Sequence, residues 1–528
     1  MCIRDRPLNK KYVRFEAEIG LENRSSAGTV IFRLQGITGA EAAASIVEKF
    51  PTESTWFLPF AGNDMKALVT TYDATIERHI ATSVINLLKE KAYFNERIAQ
   101  IDVKPTLDEQ VTGYLNLAQD AMKVYQLQNS LGWINMRAVE EAFEDMSKVE
   151  GFDRNANQDK LVRLKQLCQK GFAGIYKNDG TAMQDAREAL KLKRDILLAH
   201  PALDMDKIIV GRYKIGTAAR QINPRALGTQ NNNWSNQTSA SRGGFDAEIA
   251  ELSGLRGEVK SRTIFKPSNG SSVPDLKLHW DAERLMFSMV DTDKRWQVFE
   301  VKLDGTGLKK LIETPEKDLE FFDATYLPSG KIIAVSNIGY NGVPCVNGND
   351  EVGNMCLYNP RDGSLRRLTF DQDANWAPTV MNNGRIMYTR WEYTDLTHYF
   401  SRFVMHMNPD GTEQKSLYGS VSYFPNSTFD AKPLPGHSSR FIGVISGHHG
   451  VARSGRLMLF DPSKSRKAEK GMLQELPFRD RKIEPIVKDR LVDGVWPQFI
   501  KPYPLTDKYF LVAAKLDENS LWGIYLVD

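Results

Sequence analysis

The chain has 528 residues, of which 41% are hydrophobic and 26% are charged, values that are typical of globular proteins with two or three domains. Its 69 basic and 66 acidic residues nearly balance, so the charge gives no basis for a nucleic-acid partner. No apolar run approaches the roughly 18 residues that a membrane span needs, and no Cys-x-x-Cys-His motif is present to attach haem covalently.

Neither end of the chain resembles a natural terminus. Residues 1–6 resemble the translated adapter sequence that occurs in metagenomic assemblies, so we leave them out of the fold prediction. Residues 526–528 directly follow an apolar stretch that is typical of a strand, without a turn or a polar tail. We therefore expect a metagenomic fragment that lacks its native start, including any signal peptide, and its native end.

The segment 7–60 predicts part of a β-sandwich. Residues 12–19 alternate apolar and polar side chains, and residues 29–34 follow a Ser-Ser-Ala-Gly turn signal, which together indicate a β-hairpin. The runs 12–20 and 28–32 resemble the late strands of the carbohydrate-binding modules called NPCBM, over about thirty residues. This resemblance implies a remnant of a sugar-binding module; a sandwich edge without a ligand is the alternative.

From residue 61 to residue 205 the apolar period becomes helical. Apolar residues recur every three or four positions through 107–125, 139–146, 161–168 and 183–198. Such stripes are typical of helix faces that pack into a core. We predict an α-helical spacer of four to six helices, in which no functional motif is legible.

From residue 206 onwards, short strands and turn signals recur. Asp-Gly pairs follow an apolar strand at 304–305, 362–363 and 410–411, which are 58 and 48 residues apart. Before each of the last two pairs lie two predicted strands joined by a short turn, Ser-Gly within 325–333 and Asn-Gly within 379–387. Two hairpins per repeat give four strands, the content of a β-propeller blade. We predict a mainly β fold with a six-bladed β-propeller over 206–528. The propeller would be seven-bladed if the missing end holds another blade. The predicted blades lie near 206–272, 273–318, 319–373, 374–426, 427–490 and an incomplete 491–528.

The repeat region also carries a family resemblance. Residues 370–379, 383–395, 446–450 and 493–497 resemble the exported propeller proteins that share the middle domain of the hydrazine synthase alpha subunit. The blades resemble the PD40 (WD40-like) repeats of TolB-like propellers, and the resemblance covers roughly 197–528. It implies an extracytoplasmic protein, periplasmic or secreted, of a group mostly without assigned activity. Hydrazine synthases need haem, and this chain has none of the attachment motifs, so that chemistry is not carried over.

Antiparallel connectivity allocates the loops of a propeller to two faces of the disc. The turns between first and second and between third and fourth strands are short here. The remaining connections are longer and richer in reactive side chains, so we expect them to form the functional face. These loops are 337–354, 371–376, 392–402, 423–430, 447–455 and 489–496.

Nitrogen and oxygen donors in these loops predict a site for a divalent metal ion such as zinc. The candidate ligands are Asp371, Asp373, His398, His448 and His449. Adjacent histidines of an extended chain point to opposite sides, so at most one of the pair would face a given ion. In the alternative interpretation, one histidine is hydrogen-bonded to a neighbouring blade and the other is exposed.

A second set of side chains on this face is predicted to bind a ligand. Strand alternation sends Arg390 and Glu392 to one side and Trp391 to the other, where the indole either packs between blades or offers a platform for a sugar ring. Asp323, Asp373 and Asp430 each precede an inner strand, where they either ring the channel mouth or cap a turn. The predicted ligand-binding residues are Asp323, Arg390, Trp391, Glu392, Asp395 and Trp496.

Two cysteines lie eleven residues apart in one loop-rich segment. In an exported protein, Cys345 and Cys356 could close a disulfide, and this pair is our disulfide candidate. The alternative is that they remain thiols.

Three functional hypotheses remain open. The first is an exported, non-catalytic propeller that binds a protein partner or a carbohydrate-like ligand on its loop-rich face. The second is an enzyme on the same face, either metal-dependent or carbohydrate-active. The third is a scaffold subunit beside a separate haem protein. No nucleophile elbow, Walker loop or zincin motif is present, so catalytic residues are not predicted.

Overall fold

The computed structural model describes residues 12–20, 27–35, 74–203, 205–214, 236–344, 347–392, 402–420, 422–447, 453–518 and 520–527. The chain divides into two units, residues 1–201 and 202–528. The division falls beside Pro201, where helical periodicity gives way to short apolar strands.

The first unit begins with a hairpin of two strands, β1 (Tyr12–Gly20) and β2 (Ala27–Gln35). The strands are antiparallel, in a register that runs from Tyr12 opposite Gln35 to Gly20 opposite Ala27. This confirms the predicted hairpin. The module to which it belongs stays a prediction.

Six α-helices follow among the described residues, where the sequence predicts four to six. Polar residues begin several of them: Thr106 and Glu109 form a capping box, and Asp153 and Asp179 each accept a hydrogen bond from a first-turn N–H. None of these helices is long and apolar enough to cross a membrane. They are α1 (Thr75–Ile85), α2 (Ala92–Asp102), α3 (Leu107–Leu131), α4 (Met136–Met146), α5 (Arg154–Lys170) and α6 (Gly180–Leu197).

The described strands of the second unit form six successive antiparallel groups, which we number sheets 1 to 6. Sheet 1 contains β3 (Lys207–Lys214), β4 (Asp246–Ser253) and β5 (Lys260–Phe265). Sheet 2 contains β6 (Lys277–Leu278), β7 (Arg284–Val290), β8 (Trp296–Lys302) and β9 (Lys309–Lys310). Sheet 3 contains β10 (Phe321–Tyr326), β11 (Ile332–Ser336), β12 (Asn354–Asn359) and β13 (Ser364–Arg367).

The last three groups follow the same order of strands. Sheet 4 contains β14 (Asn375–Val380), β15 (Ile386–Trp391), β16 (Arg402–Met407) and β17 (Lys415–Tyr418). Sheet 5 contains β18 (Ser427–Pro433), β19 (Phe441–Ser446), β20 (Arg456–Phe460) and β21 (Met472–Leu476), and one parallel pair, Arg402 with Ser427, joins it to sheet 4. Sheet 6 contains β22 (Gln498–Pro504), β23 (Phe510–Lys515) and β24 (Gly523–Val527).

Consecutive sheets pack against each other through apolar clusters. Inner strands such as β11 and β19 are buried at every residue, which explains their nearly continuous apolar sequence. Residues from consecutive sheets share these clusters, for example Ile249 with Phe287, Val298 with Phe321, Val335 with Tyr388, Met387 with Phe441, and Val444 with Phe510. A four-stranded sheet that covers both of its faces in this way is the packing expected of a propeller blade.

The strand bounds place the loops as the sequence predicts. Backbone hydrogen bonds close short turns between first and second strands, at Leu327–Lys331 and Met381–Arg385. They also close short turns between third and fourth strands, at Asn359–Gly363 and Asn408–Thr412. The longer connections therefore lie at the opposite strand ends, which we call the loop-rich end. The first strands of sheets 2 to 6 begin there.

Candidate functional site

The first strands of sheets 3 to 6 share a β-bulge at the same place. Two residues of the first strand oppose one residue of the second, and the first of the two has a positive φ. The φ angles are 45° at Asp323, 55° at Ala377, 51° at Asp430 and 51° at Lys501. Asp275, two residues before β6, has a φ of 64°. Sheets 2 to 6 thus each place one left-handed residue near the loop-rich end of the first strand.

Three of these left-handed residues meet. Lys501 Nζ lies 2.9 Å from Asp430 Oδ1 and 3.4 Å from Asp275 Oδ1. The backbone N–H of Lys501 also donates to Asp430 Oδ2 at 3.2 Å. Asp275 and Lys501 are 226 residues apart in sequence. The first strands of sheets 2, 5 and 6 therefore converge.

A chain of hydrogen bonds joins sheets 2, 3 and 4 in the same way. The Ser288 hydroxyl donates to Asp275 Oδ2 at 3.4 Å and accepts from the backbone N–H of Asp323 at 3.1 Å. Asp323 Oδ2 in turn accepts from the backbone N–H of Ala377 at 2.5 Å. Gln237 Nε2 donates to Asp275 Oδ2 at 2.9 Å. All five left-handed residues are thus linked by direct contacts.

A second layer lies two residues further along the first strands. Lys432 Nζ donates to Thr379 Oγ1 at 3.0 Å, and the Lys277 side chain lies within hydrogen-bonding reach of Lys432. These residues follow Asp430, Ala377 and Asp275 by two positions each. We call the two layers together the central cluster, defined by Asp275, Lys277, Asp323, Thr379, Asp430, Lys432 and Lys501.

Arg453 connects the central cluster to the loop-rich end. It lies in the loop between β19 and β20, and its Cζ is 4.4 Å from the ring centroid of Trp376 and 5.0 Å from that of Phe429. Its guanidinium interacts electrostatically with Asp323 and Asp430, and burial lowers its pKa to about 10. A residue of a long loop therefore reaches the carboxylates.

Two carboxylates of the cluster, Asp275 and Asp430, have pKa values that are moved in opposite directions. Burial and the neighbouring charge of Asp323 raise the pKa of Asp275 to about 6, against the opposing effect of Lys501. Burial acts on Asp430 in the same direction, but the Lys501 ammonium outweighs it and holds the pKa of Asp430 below its usual value. Asp430 is therefore ionised at neutral pH, whereas Asp275 changes charge near pH 6.

The two lysines differ in the opposite sense. Burial disfavours the Lys501 ammonium, but the carboxylates of Asp430 and Asp275 outweigh burial and raise its pKa above the usual value. Burial and the adjacent Lys277 lower the pKa of Lys432 well below its usual value. The outer layer thus pairs opposite charges, and the inner layer brings like charges together.

Water reaches the cluster. The side chain of Lys501 is 43% exposed, whereas those of Asp275 and Asp430 are 4% and 10% exposed. Tyr503, two residues beyond Lys501, is 63% exposed. Solvent therefore reaches Lys501, while its two carboxylate partners are largely buried.

The structure brings three of the predicted site residues together outside the cluster. Arg390 forms an ion pair with Asp371, and its Nε lies 2.6 Å from Glu392 Oε1. Asn375 Nδ2 donates to Asp371 Oδ2 at 3.1 Å. Burial lowers the pKa of Arg390, against the effect of Glu392. Arg390 and Glu392 point to one side, as strand alternation predicts, and Arg390 forms ion pairs with two carboxylates of its own chain.

The prediction of Trp391 as a platform for a ligand is wrong. Trp391 is 1% exposed, and its ring stacks on Trp376 with centroids 6.3 Å apart. The guanidinium of Arg402 lies 4.5 Å from its centroid on the ring face. Packing between sheets therefore explains this indole. Trp496 is half-buried, with Lys515 Nζ 5.6 Å from its ring centroid.

The placement of the predicted aspartates also needs correction. Asp323 and Asp430 lie within β10 and β18, at the bulges, and not before the strands. The residue equivalent to them in sheet 4 is Ala377, whereas Asp373 is a buried residue that precedes β14. Asp323 thus stands in the central cluster, and Asp373 does not occupy the matching position.

The metal and disulfide predictions stay predictions. His398, His448, His449, Asp395 and Cys345 lie outside the described residues. Among the residues that the structure describes, no three His, Cys, Asp or Glu side chains could hold a metal ion together. Cys356 is buried in β12, where its sulfur lies 3.4 Å from the Ala334 carbonyl oxygen and burial raises the thiol pKa to about 12.

Sequence reasoning missed Asp275, Lys432, Arg453 and Lys501. A positional signal existed for only part of this set, because Asp323 and Ala377 each stand seven residues before the glycine of the first turn. The first turns of sheets 2 and 6 contain no glycine, so alignment on that residue would not have revealed Asp275 or Lys501. Arg453 has no such signal, since it belongs to a long loop.

Known proteins offer only distant comparisons. No protein-family model and no curated protein matches the chain. Among solved structures, hydrazine synthase of Kuenenia stuttgartiensis is 14% identical with a TM-score of 0.45, over 61% of this chain and 43% of that chain. TolB of Acinetobacter baumannii is 11% identical with a TM-score of 0.35, over 66% of this chain and 70% of that chain.

An oligogalacturonate lyase in complex with manganese is also similar, at 11% identity and a TM-score of 0.34, over 54% of this chain and 84% of that chain. The chain spans less than half the length of the hydrazine synthase chain. Because all three TM-scores are below 0.5, the relation of the sheets to propeller blades depends on the contacts within this chain.

Proposed function

We propose that residues 202–528 form a six-bladed β-propeller that binds a small polar ligand in its central opening, entered from the loop-rich end. Sheets 1 to 6 would be the blades. The single observation that carries the proposal is the convergence of charged residues from separate sheets on an opening where Lys501 is 43% exposed. We retain export from the cell as part of the proposal, because the repeats resemble exported propellers.

The charge pattern favours a binding role over a purely structural one. An ion pair that water reaches adds little to stability, typically less than about 1 kcal/mol. Apolar side chains would join the first strands at lower desolvation cost. A concave opening with a few convergent polar groups and perturbed pKa values is the usual form of a ligand site.

Ligand binding can be measured by thermal unfolding with a defined panel of galacturonate, glucosamine, glutamate and glycylglycine. We expect at least one member to raise the melting temperature of the wild-type protein and to lose this effect in Asp275→Asn. Asp493→Asn is the matched control, because Asp493 lies in the loop before β22, is not part of the central cluster and forms an ion pair with Arg490 at 2.5 Å. No shift with any panel member, or equal shifts in both variants, would contradict the proposal.

A carbohydrate-active enzyme is the second candidate. The observation that favours it is the difference between Asp275 and Asp430, whose pKa values are moved in opposite directions. Such a pair supplies an acid and an ionised carboxylate at one pH. Release of reducing ends from pectin or chitin oligosaccharides, lost in Asp275→Asn and in Asp430→Asn, would favour this candidate; no release at pH values around 6 would contradict it.

A metal-dependent enzyme stays a prediction from the sequence. Elemental analysis of the purified protein, compared with that of the His448→Ala and His449→Ala variants, tests it. Metal that co-purifies with the wild-type protein and is lost in either variant supports a metal site at this pair. The absence of metal from the wild-type protein contradicts it.

A further inference from the structure

The inner layer of the central cluster holds two lysines side by side. Lys277 and Lys432 come from sheets 2 and 5, and each stands two residues beyond the left-handed aspartate of its first strand. Lys432 Nζ donates to Thr379 Oγ1 at 3.0 Å, and Lys277 lies within hydrogen-bonding reach of Lys432. Three sheets thus bring two amines and one hydroxyl to one place.

These lysines form no salt bridge within the described residues, although Lys277 and Lys432 interact electrostatically with Asp275 and Asp430, respectively, over a longer distance. Within the described part of the chain, neither Lys277 nor Lys432 has a carboxylate oxygen within 4.0 Å of its Nζ. Lys501, in the outer layer, has two such partners. Two ammonium groups in contact repel each other, and the repulsion is larger in a partly buried site than in water. The inner layer therefore lacks a negative charge that the outer layer already has.

We propose that the Lys277–Lys432 pair is the binding site for the oxyanion, a carboxylate or a phosphate, of a small ligand. The Thr379 hydroxyl accepts from Lys432 and keeps its own proton to donate to the anion. The rest of the ligand would extend toward Asp275 and Asp323, whose oxygens accept hydrogen bonds from hydroxyl or amine groups. This inference deepens the proposed function, since it names the charge of the ligand that occupies the opening.

The competing explanation for the two adjacent lysines is that Lys432 is neutral and needs no anion. Without an anion, Lys432 relieves the repulsion by releasing its proton, in agreement with its lowered pKa. An anion between the two amines favours the charged form of Lys432, so we expect its binding to be coupled to proton uptake. An anion that binds nonspecifically to exposed lysines, which are already charged, takes up none.

Competitive acetylation of the full-length protein, read by mass spectrometry, tests the site with inorganic phosphate and with acetate as probes. Chloride at equal ionic strength is the reference. We expect phosphate or acetate to slow acetylation of Lys432 and Lys277 by about tenfold, which corresponds to about 1.4 kcal/mol. The exposed Lys482 serves as the internal control and should be acetylated at an unchanged rate.

Calorimetry in two buffers of different ionisation enthalpy gives the second readout. We expect proton uptake on anion binding to the wild-type protein and to Lys482→Met, and none with Lys432→Met. Equal protection of Lys482, or binding without proton uptake, would overturn the anion site. If Lys432→Met fails to fold, the acetylation experiment still decides, because it uses the wild-type protein.

The two proposals can fail separately. Binding of a neutral or cationic panel member that Asp275→Asn abolishes, without anion protection of Lys432, contradicts the anion site and leaves the proposed function standing. Protection of Lys432 by phosphate, with no panel ligand bound, contradicts the proposed small-ligand function and leaves the anion site standing.

Discussion

Asp275 and Asp430 have the same side chain, yet their surroundings move their pKa values in opposite directions. Lys501 Nζ is closer to Asp430 than to Asp275, at 2.9 Å against 3.4 Å. Burial and the charge of Asp323 favour the protonated form of Asp275, against the opposing effect of Lys501. The pair therefore gives the cluster a fixed negative charge and a titrating one.

The titration of Asp275 predicts a pH-dependent stability. Its pKa in the folded protein, about 6, is above the usual value near 3.9, so its stabilising contribution is present below about pH 4 and is lost as the pH rises through 6. We expect wild-type protein to lose on the order of 2 kcal/mol of unfolding free energy over this interval relative to Asp275→Asn. Urea unfolding at several pH values measures this difference, and parallel pH profiles would contradict it.

We expect Asp323 to stabilise the fold through the hydrogen bond that its side-chain oxygen accepts from Ala377 more than through its negative charge. Asp323→Ala leaves the buried N–H of Ala377 without its acceptor and should cost roughly 1–3 kcal/mol. Asp323→Asn keeps an acceptor and a residue that tolerates positive φ, so it should cost less than about 1 kcal/mol. Chemical denaturation of both variants checks the order, and equal losses would argue against the hydrogen bond.

At the scale of secondary-structure elements, two stacked indoles join the first two strands of sheet 4. Trp376 stacks on Trp391, and the guanidinium groups of Arg453 and Arg402 lie over Trp376 and Trp391, respectively. Trp391→Ala should cost about 3–5 kcal/mol, because it removes a fully buried ring. Trp280→Ala, at a ring that is 60% exposed, should cost under about 1 kcal/mol. Similar losses in urea unfolding would contradict the burial of Trp391.

Helix α3 of the first unit depends on its capping box. Thr106 Oγ1 accepts from the backbone N–H of Glu109, and Glu109 Oε2 accepts from the backbone N–H of Thr106 at 3.2 Å. Thr106→Ala should therefore destabilise the first unit by about 1 kcal/mol. Thr112→Ala, at an exposed position of the same helix, is the control and should have no such cost. Circular dichroism during thermal unfolding compares the two variants.

At the scale of the whole molecule, local pattern predicted the strands but not the residues that meet at their ends. Turn signals such as Ser329-Gly330 and Asn383-Gly384 fall between first and second strands, as expected. Period-two alternation correctly paired Arg390 with Glu392 on one side. These features depend on neighbours in sequence, which is why sequence alone reveals them.

The central cluster depends on contacts between the first strands of different sheets, which local pattern does not contain. Asp275 and Lys501 are 226 residues apart, and sheets 3, 4 and 5 lie between the sheets that carry them. The bulge that aligns Asp323, Asp430 and Lys501 has no glycine at its left-handed position, so the sequence carries no signal for it. Burial of Trp391 likewise depends on the partner strands, since an aromatic residue beside charged ones suits either a platform or a core.

Zero-length cross-linking tests the convergence of the sheets most directly. A carbodiimide joins an amine to a carboxylate only when the two are in contact, so Lys501 should become linked to Asp430 and to Asp275, at 2.9 Å and 3.4 Å. Lys309 and Glu300, 2.9 Å apart within sheet 2, give the positive control. We predict a Lys501–Asp275 cross-link in the mass spectrum of the full-length protein. Detection of the Lys309–Glu300 link without any link from Lys501 to these aspartates would contradict the central cluster.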